Sequence, residues 1–562
     1  MGNKPLHILI QSLMVIILLS GLILPFTTIK PAYAATVIVV NSSLDSLGND
    51  GNCTLREAVI AANKNKPSGS KANECAAGTA DDIIRLQANQ VYQITRTDSG
   101  NEDSSASGDL DIRSNIAFEV TGSGLATLQA VNSKDRVFQI FSGTTSFTNL
   151  VIMGGNLTGN GGAISNQGTA NIKNSLIKDN ISSGRGGGIY NTAGATLTLS
   201  NSTINANTSA TDGGGIANEG TLSLINTTIS GNTSKGVGGG FFSSGSSTLN
   251  AVTVTANSAG SLSGNGGGLG VVAGVTTIKN SLVAGNSSAA APPAPDCSGS
   301  LQSAGYNLVQ NISGCVLSGI STGNLLGLDP KLGGLADYGG LTPTHAIAVD
   351  SPAVEAGTCT TSTSTSLTED QRGILRPQGS TCDIGAFEVE DPLQTGPVYS
   401  VTSIIDVTSS TCTFSNCSLR DAINAANSRP NGSTPDEIHF SFPGSGAQVI
   451  TLQTNLPAIS DSLVIDGFSQ PGASPNTLPT GSNAVRLVTL DGSQLGACTA
   501  GLTISGSGST VKGLNIQDFS CDGIAVGGSG NQVLENAVFD NSGAGVHVTV
   551  GVSTKSQTYP LP

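Results

Sequence analysis

"NSTINANTSATDGGGI", residues 201–216, is one unit of a repeat that runs from Asn149 to Ser288. Its first seven residues return as "NSLIKDN" at 174–180, "NTTISGN" at 226–232, "AVTVTAN" at 251–257 and "NSLVAGN" at 280–286. Its glycine end returns as "GGAI" at 161–164, "GGGI" at 186–189, "GGGF" at 238–241 and "GGGL" at 266–269. The period of 25 to 29 residues is too short for a domain. It suits one turn of a solenoid, whose units bury an apolar face only by stacking on their neighbours.

Within a unit the apolar residues alternate. In "ATLTLSNSTI", 195–204, Leu197 and Leu199 point one way and Thr196, Thr198 and Ser200 the other, a period of two that means strands. The glycines supply positive φ and close backbone approach at turns, which helical repeats do not tolerate. Strands stacked at about 4.8 Å per coil make the expected fold all-β, a right-handed parallel β-helix. The last Asn of each unit, Asn180, Asn207, Asn232, Asn257 and Asn286, lies three residues after an inward Ile or Val. That register predicts a ladder in which each amide donates to one coil and accepts from the other; the competing reading is that Asn is common in turns. The abundant N-x-S/T sequons follow from the same composition and are weak evidence for glycosylation.

Residues 149–288 resemble the repeat of polymorphic outer-membrane proteins, which carries a G-G-A-I element and an x-x-N element. The resemblance implies a surface-exposed, adhesive β-helix. The chain departs from that family in having no recognisable C-terminal β-barrel.

Composition fits this reading. The chain has 562 residues, 74 of them Gly, with 11% charged and 37% apolar residues, and a mean hydropathy of +0.08, too apolar for a disordered tail. Lys4, an apolar run from Ile8 to Phe26 and small residues Ala32 and Ala34 at A-x-A spacing read as a signal peptide, residues 1–34, cut after Ala34. An uncleaved membrane anchor is the alternative. Removing that segment takes Lys4 and Lys30 and no acid, leaving 22 basic and 38 acidic residues, a formal charge of −16. So acidic a chain, without a basic run, is not a nucleic-acid binder, and no membrane span is expected after signal removal. Ten cysteines in an exported chain should be oxidised. Their spacing suggests local pairs: Cys53 with Cys75, Cys297 with Cys315, Cys359 with Cys382, Cys412 with Cys417, and Cys498 with Cys521. With no C-x-x-C, a zinc site is not expected.

"CTLREAVIAAN", Cys53–Asn63, recurs as "CSLRDAINAAN", Cys417–Asn427, with seven of eleven positions identical. Both read as short helices. Thr54 with Glu57, and Ser418 with Asp421, match the capping box; Leu55, Ala58, Val59 and Ala62, like Leu419, Ala422, Ile423 and Ala426, share one face. The stretch resembles bacterial surface proteins named for their C-S-L-R-E-A signature, which precedes β-helices. An acidic pair (Asp81-Asp82, Asp436-Glu437) and a strand follow each copy, so each copy is expected to open a solenoid as a lid over its first coil. Arg56 and Arg420 are expected to reach those acidic pairs.

Residues 329–357, "DPKLGGLADYGGLTPTHAIAVDSPAVEAG", and 370–388, "DQRGILRPQGSTCDIGAFE", look like the bacterial choice-of-anchor Q domain. The resemblance implies a domain that ends exported β-helices. The expected organisation is therefore residues 35–85 as first cap, 86–289 as first β-helix, 290–389 as the choice-of-anchor-like region and 390–400 as linker. Residues 401–440 form the second cap, and 441–562 a second β-helix expected to be incomplete at Pro562.

Chemistry is hard to place. Residues 156–290 hold Lys173, Lys178, Asp179, Arg185, Asp212, Glu219, Lys235 and Lys279, and the three acids, on different coils, are expected to stay apart. His345, Asp370, Arg372, Arg376 and Asp383 read as turn residues and structural ion pairs. "GDLDIR", with Asp109, Asp111 and Arg113, is the one local cluster, expected to be a solvated loop, with a Ca²⁺ or lyase role as the alternative. There is no P-loop, no G-x-S-x-G and no H-E-x-x-H. No catalytic residue, cofactor or metal ligand is assigned. The expected function is that of a secreted or cell-surface, non-catalytic protein contacting glycans, matrix proteins or the cell envelope. The alternatives are a polysaccharide lyase or glycoside hydrolase, and a structural stalk.

Overall fold

The computed structural model describes residues 35–97, 102–260, 266–406, 411–432, 434–444, 446–496, 498–549 and the backbone of 554–558. The expected signal peptide, residues 1–34, lies outside them. The fold is the expected one: two right-handed parallel β-helices, each opened by a short helix.

In the coil that begins at Gly186, strands Ile189–Asn191, Thr196–Ser200, Thr203–Asn205 and Thr208–Ser209 follow one another. Each pairs in parallel with its counterpart one coil on, so the middle coils stack as four columns. The glycines make the first corner possible. Gly186, Gly213 and Gly238 have φ of 68°, 67° and 70°, and a Cβ on Gly187 would lie 2.3 Å from the Gly214 carbonyl oxygen. Inward Leu197, Leu199 and Ile204 are fully buried, and Phe118, Phe138 and Phe147 pack ring to ring in the early coils, 4.9–5.2 Å apart.

The Asn ladder is present. Asn180, Asn207, Asn232 and Asn257 each donate Nδ2 to Oδ1 of the next, at 2.9–3.0 Å, and Asn286 ends the row on Asp296 Oδ1 at 2.9 Å. A second ladder, Asn166 to Asn191 to Asn218, runs at the corner after the first column. The pattern I-x-N after the first three glycine runs is its signal, and it lapses at Ser243 and Val271. The first Asn of each unit does a different job: Asn174, Asn201, Asn226 and Asn280 sit in the left-handed region, φ 46–50°.

Helix α1 (Leu55–Lys64) and helix α2 (Leu419–Asn427) both carry the complete capping box. Leu55, Ala58 and Val59 are buried in the first core, Leu419, Ala422 and Ile423 in the second. The expected partner of the arginine is wrong. Arg56 bonds Asp45, Nε–Oδ1 2.6 Å and Nη2–Oδ2 3.1 Å, and carbonyls of Ser105, Gly108 and Asp109; Arg420 bonds Asp406 and the carbonyls of Thr454 and Asn455 in the same way. The reason is placement: Arg56 faces the loop leading into strand Leu110–Ile112, while Asp82 is taken by the Thr79 N–H at 2.7 Å.

The expected boundaries cut the sheets. Thr36–Val39, inside the expected cap, and Asp81–Gln87, which straddles its boundary at residue 85, are adjacent strands of the first coils. Beyond residue 289 the coils continue in parallel through Cys297–Ala304, Leu308–Val309, Cys315–Ile320 and Leu325–Leu326. Only then does the chain turn back, and residues 332–389 run as a strap along the third column. All five cysteine pairs form as the spacing suggested. Among the described residues no helix is long and apolar enough to cross a membrane.

Candidate functional site: a polar and aromatic strip on the first column

The alternate positions of the first column that point away from its core stack in register as Asp111, Gln139, Ser165, Tyr190, Ala217 and Phe242; Gln139 and Tyr190 are half-buried and the other four are buried. Five coil steps at about 4.8 Å make a strip roughly 24 Å long. The second column instead presents neutral rows, such as Thr169, Thr196, Thr221 and Ser246.

Acids expected to stay apart meet on this strip. Arg185 Nε lies 3.1 Å from Asp212 Oδ2 and its Nη1 2.6 Å from Glu219 Oε1, and its guanidinium lies 5.1 Å from the Phe242 ring centre. Tyr190 donates its phenol to Glu219 Oε2 at 2.8 Å; burial, then the Glu219 carboxylate, pushes that phenol up to about 12. The separations 185 to 212 and 190 to 219 fall within the coil period, the signal that reveals such neighbours. Different coils are therefore adjacent rows, not distant places. Asp179, the third acid, pairs with Lys178 at 3.4 Å instead.

At the other end of the strip, Asp109 and Asp111 are buried, not solvated as expected. Asp109 Oδ2 bonds Arg136 at 3.0 Å, and Arg136 also reaches Gln139. Asp111 Oδ2 accepts the Ser105 N–H at 2.6 Å. Burial raises both carboxyls, Asp109 well above the usual range with the Asp135 charge adding to it, Asp111 to about 6. Arg113 lies 3.8 Å above the Phe141 ring. Tyr190 and Phe242 thus stand in the same row two coils apart, Arg185 lies near Phe242, and Phe141 follows the first-column strand Phe138–Ile140 by one residue. Among the described residues no group of three or more His, Cys, Asp and Glu side chains could hold a metal ion.

The residues noted in 329–388 fasten the strap. His345 bridges the Gly333 carbonyl and Ser230 Oγ, at 2.7 and 2.8 Å. Arg372 bonds Asp370 at 2.8 Å and stacks on Phe387; buried Arg376 pairs with Glu388 at 3.3 Å and bonds the Asp383 carbonyl. Gln371, which no sequence pattern singles out, is the hub: it bonds Thr203, Thr228 and Thr342 across as many as 168 residues.

No protein-family model and no curated protein matches the chain. Among solved structures, the crystal structure of pectate lyase Pel9A aligns with 15% identity and a TM-score of 0.38, over 64% of this chain and 97% of that one. A PL6 family alginate lyase, AlyGC, aligns with 10% identity and a TM-score of 0.14, over 86% and 98%. Neither likeness bears on the chemistry of this chain.

Proposed function

We propose that this is an exported, non-catalytic surface protein that holds an extended glycan along the first-column strip. The observation that carries the reading is the convergence of Arg185 and Tyr190 from one coil with Asp212 and Glu219 from the next onto one face. Glu219 fixes the Tyr190 ring, which gives a rigid platform for the apolar face of a sugar, and the flanking carboxylates and guanidinium suit its hydroxyls. Export is supported by five disulfides, which suit an oxidising compartment, and by the resemblance to C-S-L-R-E-A and choice-of-anchor Q surface proteins. The Asp212 and Glu219 carboxylates are engaged by Arg185 and Tyr190, which favours holding a ligand over cleaving it.

The test is a glycan and matrix-protein array on the chain from Ala35 to Pro562, with reducing-end release measured in parallel. Binding of a glycan that falls at least tenfold in the Tyr190→Ala, Glu219→Gln double variant supports the reading. Release of sugar ends that is lost on changing Asp109 or Asp111 replaces it with the enzyme.

A further inference from the structure

The first β-helix has two unlike ends. At the start, α1 closes the core. At the finish, Cys315–Ile320 and Leu325–Leu326 pair on one edge only, and no strand among the described residues meets the other. Leu326 is in register with Val309, which is 1% exposed, yet Leu326 is 44% exposed because nothing stacks on it. Ile312, Val316, Ile320 and Leu328 are exposed as well.

The chain does not fold over this end. From Leu328 it returns along the third column until Thr342 bonds the Asn201 carbonyl. It leaves the strap at Glu390, held by Arg372, which lines a cleft with Asn174 and Asn201, several coils from the open end. Edge strands of soluble proteins are ordinarily guarded by charges, proline or bulges. Here residues 298–328 contain no charged residue and no proline, in a chain with 38 acids. Two such ends can meet without repulsion despite the strong net charge.

We propose that this open end docks on the same end of a second copy, with the two Cys315–Ile320 strands pairing antiparallel across a two-fold axis. The opposite end is unsuited to this coil: α1 leaves Lys64 exposed, with exposed Lys66 just beyond it, so head-to-tail stacking would bury charged groups against Leu317 and Leu326. Like ends therefore meet, and the contact closes at two copies instead of propagating into a filament.

Light scattering and sedimentation on the chain from Ala35 to Pro562 should give twice the monomer mass. Val316→Lys with Ile320→Lys, both at exposed positions, should halve that mass while leaving the melting temperature unchanged. Val39→Lys, on the exposed first strand at the opposite end, should leave the dimer intact. Ser318→Cys should oxidise to a covalent dimer. A monomer at every concentration, a dimer that survives the double lysine variant, or a mass that grows beyond two copies would each overturn the proposal.

Discussion

Asn63 treats Asp111 as a neighbouring strand would: its Nδ2 donates to the Asp111 carbonyl at 2.6 Å while its Oδ1 accepts from the Arg113 N–H at 2.9 Å. Asn427 repeats both bonds with Ala458 and Ser460, at 2.8 and 2.9 Å. One amide at the end of each helix thus satisfies backbone groups that the first coil would otherwise leave unpaired.

Asn63→Ala should therefore destabilise the first β-helix by about 0.5–1.5 kcal/mol, the usual net worth of a hydrogen bond at a part-buried site. Lys64→Ala, one residue on and exposed, should change little. Denaturant unfolding of the two variants checks this; equal midpoints would mean that solvent serves the edge as well as the amide does.

The Asn ladder makes a larger demand. Asn207 Nδ2 serves Asn232, Ile177 and Asn205, while its Oδ1 accepts from Asn180. Asn207→Leu leaves several buried groups unpaired, at about 1–3 kcal/mol each. Ser209, two residues further on, is itself fully buried and makes a poor comparison. Exposed Thr211 is the proper reference, and Thr211→Leu should shift the melting temperature far less than Asn207→Leu.

The eleven-residue signature is legible because each repeated position has its own physical cause. Its Cys forms a disulfide, its Thr or Ser caps the helix, its Leu and Ala fill the core, and its last Asn meets the coil edge. The bonding of Arg56 is not legible in the same way, because its partner is distant in sequence and irregularly spaced. Asp45 lies 11 residues before Arg56, and Asp406 lies 14 before Arg420. A signal exists nonetheless, since both aspartates end an S-x-x-D, Ser42–Asp45 and Ser403–Asp406. The strip is obscured for another reason. Residues one coil apart look remote along the chain, and only stacking brings Tyr190 beside Glu219.

Ala251 is a fault in the second role of the repeat. It stands where other units have Asn, with φ of 53°, and Asn226 Oδ1, one coil before, is buried without a partner among the described residues. At the equivalent step Asn174 Nδ2 donates to Asn149 Oδ1 at 3.2 Å. Ala251→Asn should relieve a left-handed alanine, worth about 1–2 kcal/mol, and supply the missing bond. Ala251→Gly should recover only the backbone part. Thermal melts that rank Asn above Gly above Ala would show both effects, and an Asn variant below wild type would mean that the strap leaves it no room.

Stability should rise as the pH falls from 8 towards 5. Burial raises Asp111 to about 6 and Glu388 to about 7, with Arg376 opposing the shift at Glu388. Unfolded carboxyls titrate near 4, so between about 4 and 7 the folded chain binds more protons than the unfolded one. Stability from these groups is fully present below about 4 and lost as the pH climbs through the folded values. Asp45 and Asp406 work in the opposite direction: burial alone would raise them, but Arg56 and Arg420 hold them low, so their contribution is present above about 4 and lost in stronger acid. The melting temperature should consequently peak in mild acid. Asp111→Asn, which keeps an oxygen for the Ser105 N–H, should flatten the decline between pH 5 and 8, as should Glu388→Gln. An unchanged slope in both variants would place the titrating groups elsewhere.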